Sequence, residues 1–428
     1  MFCLLMLTCD RIQSQIIIHN GQTARMRYCS RPTFSKTEVS QVSGNYADPP
    51  NNTDSSFNFR IYFPDTAKDN LSRRPFVMLI HGGAFQTGSL GQFDELSKFF
   101  AQRGFVAATI NYRIKPPWQT GNCLPDDTVL LYQNYYRSIQ DARAAMRYLL
   151  HHAPDFRIDT SWMFVGGQSA GAITALAVAF EDQQELNAFT NLEGTLGDID
   201  HADNALTDHF TIKGVMDEAG AIKFPEDIDA NENIGVISFH ATLDPVVPYG
   251  LNYMEWGDCG SAYTLVNGSG VVQQRLSSLG ICGELNKSFS SNHGGLAGND
   301  YKVRHAACFF GSVMNGSCLT DSFIIEDNIS PECCIKVLGT GKKDIQIGES
   351  NAAIYYTQGQ LVIEFADDDA AEYSAGIFNV WGMKIAQFSH LEQGENRWSL
   401  QLASGIYFLT LNKENHNVIT KKLLCVGE

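Results

Sequence analysis

The sequence predicts an α/β domain built on a mostly parallel sheet flanked by helices, followed by a small all-β sandwich domain at the C-terminus. Three observations predict it. Short continuous apolar runs, PFVMLI at 75–80, FVAATINY at 105–112 and WMFVG at 162–166, read as strands buried on both faces. Helical stripes lie between these runs, and strands alternating with helices argue for a parallel sheet covered on both sides. After about Thr320 the chain changes to short strands with Gly turns and no helical pattern.

A chain of 428 residues is too long for one compact core of ordinary size, so two domains are expected. FNFRIYF at 57–63 alternates and is rich in β-formers, which makes it the first strand. Phe93 to Arg103 carries a helical pattern. Asn134 to His152 carries another, with Ile139, Ala142, Ala145, Met146 and Leu149 on one stripe. A third helix follows WMFVG at Ala170 to Phe180, and two short strands fit at Ile212 to Met216 and Gly235 to His240. Beyond them LVIEF, YSAGIFNV, MKIAQF, RWSLQL, GIYFLTL and VITKKLL recur at short spacing. The boundaries read as 28–320 for the α/β domain, 321–344 for a linker and 345–428 for the sandwich.

The formal net charge of −16 repels nucleic acid and anionic lipid, so no nucleic-acid partner is expected. No apolar run approaches the ~20 residues that span a bilayer, so no transmembrane segment is expected. The apolar opening Phe2 to Thr8 reads as the core of a secretory signal over residues 1–15, with its true start upstream. Of 11 cysteines, Cys3 and Cys9 fall in that signal and Cys425 in the last strand. The other eight, Cys29, Cys123, Cys259, Cys282, Cys308, Cys318, Cys333 and Cys334, form an even set that fits disulfides in an oxidising compartment. Their pairing is not deducible, though Cys308 and Cys318 are near enough to close a small loop. No paired Cys-x-x-Cys with matching His spacing occurs, so neither a metal nor another cofactor is expected.

Gly167-Gln168-Ser169-Ala170-Gly171 is a G-x-S-x-G sequence between a strand and a helix. That context makes Ser169 the candidate nucleophile: the sharp turn demands small flanking residues and lifts the hydroxyl above the sheet edge. The helix N-terminus beneath offers unpaired N–H groups to a developing anion. His81-Gly82-Gly83-Ala84-Phe85 directly follows the strand PFVMLI, and the amides of Gly82, Gly83 and Ala170 are the candidate oxyanion hole. His81 is expected to hold that loop by hydrogen bonds.

A serine hydroxyl needs a base, and the base a carboxylate to orient it. Asp244 lies where GVISFH ends, in ATLDPVVPY, and is the candidate acid; Asp217 and Glu218 are its rivals. His293, in the loop SSNHGG, is the candidate base. His305 lies in the amphipathic helix YKVRHAACFFGSVM and is read as a satisfied helix residue. Lys115 to Gln133 and Asn187 to Asp208 read as a lid or pocket rim, with Trp118 and Trp256 as candidate pocket residues.

On these residues the chain resembles the α/β-hydrolase superfamily, nearest to bacterial carboxylesterases with an HGGAF-type oxyanion loop. IDTSWMFVGGQSAGA at 158–172 and INYR at 110–113 carry the resemblance, which covers about residues 50–315. ATLDPVVPY is also similar to secreted feruloyl-esterase and polyester-depolymerase relatives, whereas the region around His293 departs most from the family pattern. The resemblance implies a serine esterase working through an acyl-enzyme on a small-molecule or polysaccharide-linked ester, acetyl or feruloyl among them. A prolyl-oligopeptidase-type peptidase and a non-catalytic adhesion scaffold are the alternatives.

Residues 346–428 resemble the C-terminal sorting domain of type IX secretion substrates of Bacteroidetes-type bacteria. FNVWGMKI, SGIYFLTL and the terminal KKLLCV carry that resemblance, with Cys425 as a departure. It implies the type IX machinery as a partner, passage through the periplasm, and a secreted or cell-surface protein. A carbohydrate-binding sandwich is the alternative.

Overall fold

The computed structural model describes residues 17–18, 22–23, 28–69, 71–114, 126–255, 264–316, 318, 320–329 and 331, and further on 352–357, 360–365, 373–379, 383–389, 391, 394–400, 405–413 and 416–425. The sequence readings at 1–15, Trp118 and Trp256 lie outside the described residues, as do parts of the predicted lid and linker. Two compact units divide the chain, 1–335 and 336–428.

The first unit is a nine-stranded sheet. Its strands are β1 (Val39–Asn45), β2 (Asn58–Pro64), β3 (Arg74–Ile80), β4 (Val106–Ile110), β5 (Ile158–Gln168), β6 (Ile212–Glu218), β7 (Gly235–Ala241), β8 (Gly283–Ser288) and β9 (Asp321–Ile324). Their order across the sheet is β1-β2-β4-β3-β5-β6-β7-β8-β9. The β1–β2 and β2–β4 pairs are antiparallel and every later pair is parallel. All seven residues of β3 and all five of β4 are buried, which is why those strands are apolar but for Arg74 and Thr109 instead of alternating.

Helices cover both faces. On one side lie α1 (Asp94–Gln102) and α5 (Asn299–Met314); on the other lie α2 (Asp126–His151) and α3 (Ala170–Phe180), while α4 (Ser269–Leu279) packs on β7 and β8. Phe310 of α5 stacks on Phe164 of β5 at 4.1 Å, and Phe100 of α1 lies 6.2 Å from it on a parallel plane. The predicted stripe of α2 is buried throughout: Ile139, Ala142, Ala145, Met146 and Leu149 are all fully inaccessible.

Three findings differ from the sequence reading. The edge strand β9 pairs in parallel with β8, so this unit runs past Thr320 and takes in the start of the expected linker. Strand β1, VSQVSGN, is a polar edge strand with no buried residue, so it shows no apolar pattern from which to predict it. Cys318 pairs with Cys282 rather than with Cys308, because β9 carries it beside the start of β8; Cys29 and Cys308 are disulfide-bonded too.

The second unit is all β. One antiparallel sheet joins 352–357, 360–365 and 394–399, and another joins 384–389, 373–379, 405–413 and 416–425. Leu361 and Ile363 of the first sheet share a core with Ala375, Ile377, Leu409 and Leu411 of the second, which makes a sandwich. Among the described residues no helix is long and apolar enough to cross a membrane.

Candidate active site

The site forms at the carboxyl edge of the sheet, where β3, β5, β7 and β8 end. Strand β5 turns into α3 at Ser169, which sits at φ 54° and ψ −123°. A side chain pays for such a conformation with strain, and strain held in place by surrounding structure is typical of functional turns. The flanking glycines are dictated by contact. A Cβ on Gly171 would lie 2.0 Å from the Ile80 carbonyl oxygen, and one on Gly167 would lie 2.3 Å from the backbone of Gly171.

The three candidate triad residues meet. His293 Nε2 lies 2.8 Å from Ser169 Oγ, and His293 Nδ1 lies 2.8 Å and 3.1 Å from the two carboxylate oxygens of Asp244. Asp244 also accepts the amides of Val246 at 2.8 Å and Val247 at 3.1 Å, so the turn after β7 fixes its orientation. Burial alone would push the Asp244 carboxyl up. The His240 N–H 3.5 Å away, the hydrogen bonds from His293 and the Val246 amide, and the attraction of the His293 ring hold it at about 2, so it is a carboxylate at working pH.

The rival acids do other work. Asp217 is fully buried and bonds Ser238, Ser269 and the Gly220 amide; burial pushes its carboxyl above the usual range. Glu218 links both halves of the site. Its carbonyl accepts the Ser169 amide at 2.8 Å, and its carboxylate takes the Gly295 amide at 3.2 Å and Lys302 Nζ at 2.9 Å. His305 lies elsewhere, buried between Glu284 at 2.5 Å and the Ile329 carbonyl at 2.9 Å.

One of the candidate oxyanion amides is engaged within the fold. The Gly82 amide donates to Gln92 Oε1 at 3.0 Å, so it is not free for a ligand. Among the described residues the amides of Gly83, Ala84 and Ala170 have no acceptor, and Gly83, Ala84 and Phe85 all take positive φ, at 111°, 54° and 61°. His81 secures this loop: its ring nitrogen bonds the Gly82 carbonyl at 2.7 Å and its ring stacks on Tyr112 at 4.4 Å; burial lowers its basicity.

Two recesses adjoin the site. A polar cavity of about 400 Å³ opens beside His293, with Glu218, Lys302, Gln92, Gln168 and Asn299 in its wall. A narrow apolar slot of about 30 Å³ is lined by Phe85, Leu131, Tyr135, Ile173, Phe189 and Val266.

Sequence reasoning passed over two residues here. His240 stands behind Asp244, 3.5 Å from its Oδ2, and the signal was its place four residues before the acid in HATLD. Ala84 carries no such signal, because only glycine marks an unhindered amide in a sequence.

The strand order, the helix on either face and the strained serine turn define an α/β-hydrolase, carboxylesterase-like, and the chain ends in a type IX secretion sorting domain. Residues 59–241 match the BD-FAE family, and residues 357–426 match the secretion system C-terminal sorting domain. That domain marks the protein as secreted or displayed at the cell surface. Esterase LipI of Mycobacterium tuberculosis is 29% identical over 121 residues, covering 28% of this chain and 33% of that protein. Carboxylesterase NlhH of the same species is 27% identical over 121 residues, covering 28% and 32%. A neuroligin-like protein of Caenorhabditis elegans, glit-1, is 32% identical over 112 residues, covering 26% and 14%. The chain thus spans a third or less of the length of these curated relatives. Among solved structures, a bifunctional GH43-CE from Bacteroides eggerthii aligns with a TM-score of 0.46 at 17% identity, over 65% of this chain and 36% of that one. The Est2 esterase of Thermogutta terrifontis aligns at 0.42 and 17% identity, over 67% and 97%.

Proposed function

We propose that this protein is an exported serine esterase that hydrolyses carboxylic esters, acetyl or feruloyl groups on polysaccharide among them, through Ser169, His293 and Asp244. The contact between Ser169 Oγ and His293 Nε2 at 2.8 Å, with Asp244 on the far side of the ring, carries the reading. Asp244 accepts the Nδ1 proton of His293, which leaves Nε2 as the basic nitrogen facing the hydroxyl. His293 takes the Ser169 proton as Oγ bonds to the ester carbonyl carbon. The carbonyl oxygen becomes an anion and lies against the amides of Gly83, Ala84 and Ala170, which are already oriented and need no rearrangement. His293 then returns the proton to the departing alkoxide. Water repeats the sequence on the acyl-enzyme and releases the acid.

The two recesses suit the two ends of such an ester. The apolar slot beside Phe85 and Ile173, at about 30 Å³, suits an acetyl rather than a feruloyl acyl group, and the polar cavity beside His293 takes a hydroxylated alcohol. The C-terminal unit delivers the enzyme to the type IX machinery.

Ser169→Ala tests this reading. It lowers kcat on an aryl acetate by about 10⁴-fold or more and abolishes labelling by a fluorophosphonate. A variant that keeps most of its activity removes Ser169 from the mechanism. A panel of acetylated sugars, feruloyl esters and peptide amides separates esterase from peptidase: turnover of the amides alone refutes the ester assignment.

A further inference from the structure

His240 lies near the end of β7 and is fully buried. Its Nε2 lies 3.0 Å from the Val247 carbonyl oxygen and 3.5 Å from Asp244 Oδ2. A carbonyl only accepts, so Nε2 carries a proton, and the other acceptor beside it is the carboxylate that orients His293. Its second nitrogen, Nδ1, lies 2.6 Å from Ser269 Oγ, which lies 2.6 Å from Asp217 Oδ2. Asp217 comes from β6 and Ser269 opens α4; both are fully buried.

The Ser269 hydroxyl has one proton and two close partners. When it donates to Asp217, His240 Nδ1 must donate to Ser269, and the ring is an imidazolium. When it donates to Nδ1, Asp217 must itself be protonated and donate to Ser269. Any other arrangement sets two lone pairs against each other at 2.6 Å in a buried place, an unmade hydrogen bond with no water to replace it. Acid and imidazole therefore share one labile proton in either state. The states differ by two protons each moving across one hydrogen bond, with no change in total charge.

Burial pushes the Asp217 carboxyl up and so works toward the second state, while the carboxylates that face the ring work toward the first. Asp217 and Asp244 both face the ring with carboxylates. Tyr249 presents its neutral ring at 5.7 Å. Lys287, the register partner of His240 on β8, holds its ammonium 6.0 Å from the Phe289 ring. Ser238 and the Gly220 amide complete the donors to Asp217, and His293 lies beyond Asp244.

We propose that His240 is a positioning residue for acyl transfer, held through Ser269 by Asp217, which fixes the Asp244 carboxylate and sets the charge that His293 meets. A cation behind Asp244 offsets part of its negative charge, so it opposes protonation of His293 and extends the active pH range downward. The inference rests on the serine esterase reading above.

The test measures kcat and KM on an aryl acetate from pH 5 to 9 for the full chain and three variants. In Asp217→Asn the amide donates to Ser269 and the hydroxyl to Nδ1, which preserves the hydrogen-bond chain but forces the ring neutral. Its kcat on the plateau stays within about threefold, and the acid limb of kcat/KM moves up by about half a pH unit or more. In Ser269→Ala the chain is broken, and kcat falls about tenfold or more with KM within about twofold; Ser269→Thr, which restores a hydroxyl, recovers it. An unmoved acid limb in Asp217→Asn, or an undiminished kcat in Ser269→Ala, overturns the proposal. Fluorophosphonate labelling runs in parallel. A parent chain that does not label sinks the esterase reading itself, whereas a labelled parent with an unmoved limb sinks only the relay.

Discussion

Glu181, the residue after α3, offers a quantitative test of how burial governs this fold. The residue is 3% exposed; Oε2 takes the Tyr135 hydroxyl at 2.5 Å and Oε1 has no partner among the described residues. Burial is the main cause that raises its pKa from 4.5 to about 8; the Tyr135 hydrogen bond opposes the rise and the nearby Asp227 and Glu185 add to it. The folded chain therefore keeps this proton to about pH 8, whereas the unfolded chain releases it near 4.5. Between those values the folded state binds more protons, so stability falls as pH rises. The contribution is whole below about pH 4.5 and lost as pH climbs through 8, a change of about 5 kcal/mol at 1.36 kcal/mol per pH unit. Glu181→Gln keeps the shape and removes the titration. Urea unfolding at pH 5, 6, 7, 8 and 9 should show the parent declining steadily and the variant declining less, by an amount that grows to several kcal/mol at the alkaline end. Parallel stability curves for the two proteins would refute the assignment of a neutral buried Glu181.

Asp244→Asn removes the acceptor that holds the His293 proton on Nδ1, and kcat should fall by about 10⁴-fold with KM little changed, measured on an aryl acetate. Gly171→Ala places a methyl 2.0 Å from the Ile80 carbonyl and should cost about 2–4 kcal/mol in denaturant unfolding, together with activity. Replacing Cys282 and Cys318 by Ala opens a loop of 36 residues and should cost about 4 kcal/mol in the same assay, with the reduced parent falling further because Cys29 and Cys308 are disulfide-bonded too.

The parts of the fold that were legible in the sequence are those where one physical demand dominates. Strands β3, β4 and β5 are buried on both faces, so their apolar runs announce them, and α3 begins at the glycine-flanked serine because no bulkier neighbours fit. Strand β1 and the edge strand β9 were missed because a solvated edge demands no apolar residues; β9 even falls where the chain reads as linker. Ser169 and Asp244 could be placed from strand ends alone. His293 depended on excluding helical His305, since its loop carries no pattern beyond Gly294 and Gly295, both at positive φ. Glu218 and Asp217 were weighed only as acids, because nothing in DEAG signals a carboxylate that ties down a loop or shares a proton. The engagement of Gly82 by Gln92 is a tertiary contact ten residues apart, invisible until the chain turns back.

The candidate triad draws on the ends of β5, β7 and β8, with 124 residues between the hydroxyl and its base and 49 between base and acid. No fragment that stops short of the end of β8 holds all three. A triad of these residues is therefore complete only once β5, β7 and β8 are all in place. The appearance of turnover during refolding would accordingly time the closing of the sheet itself.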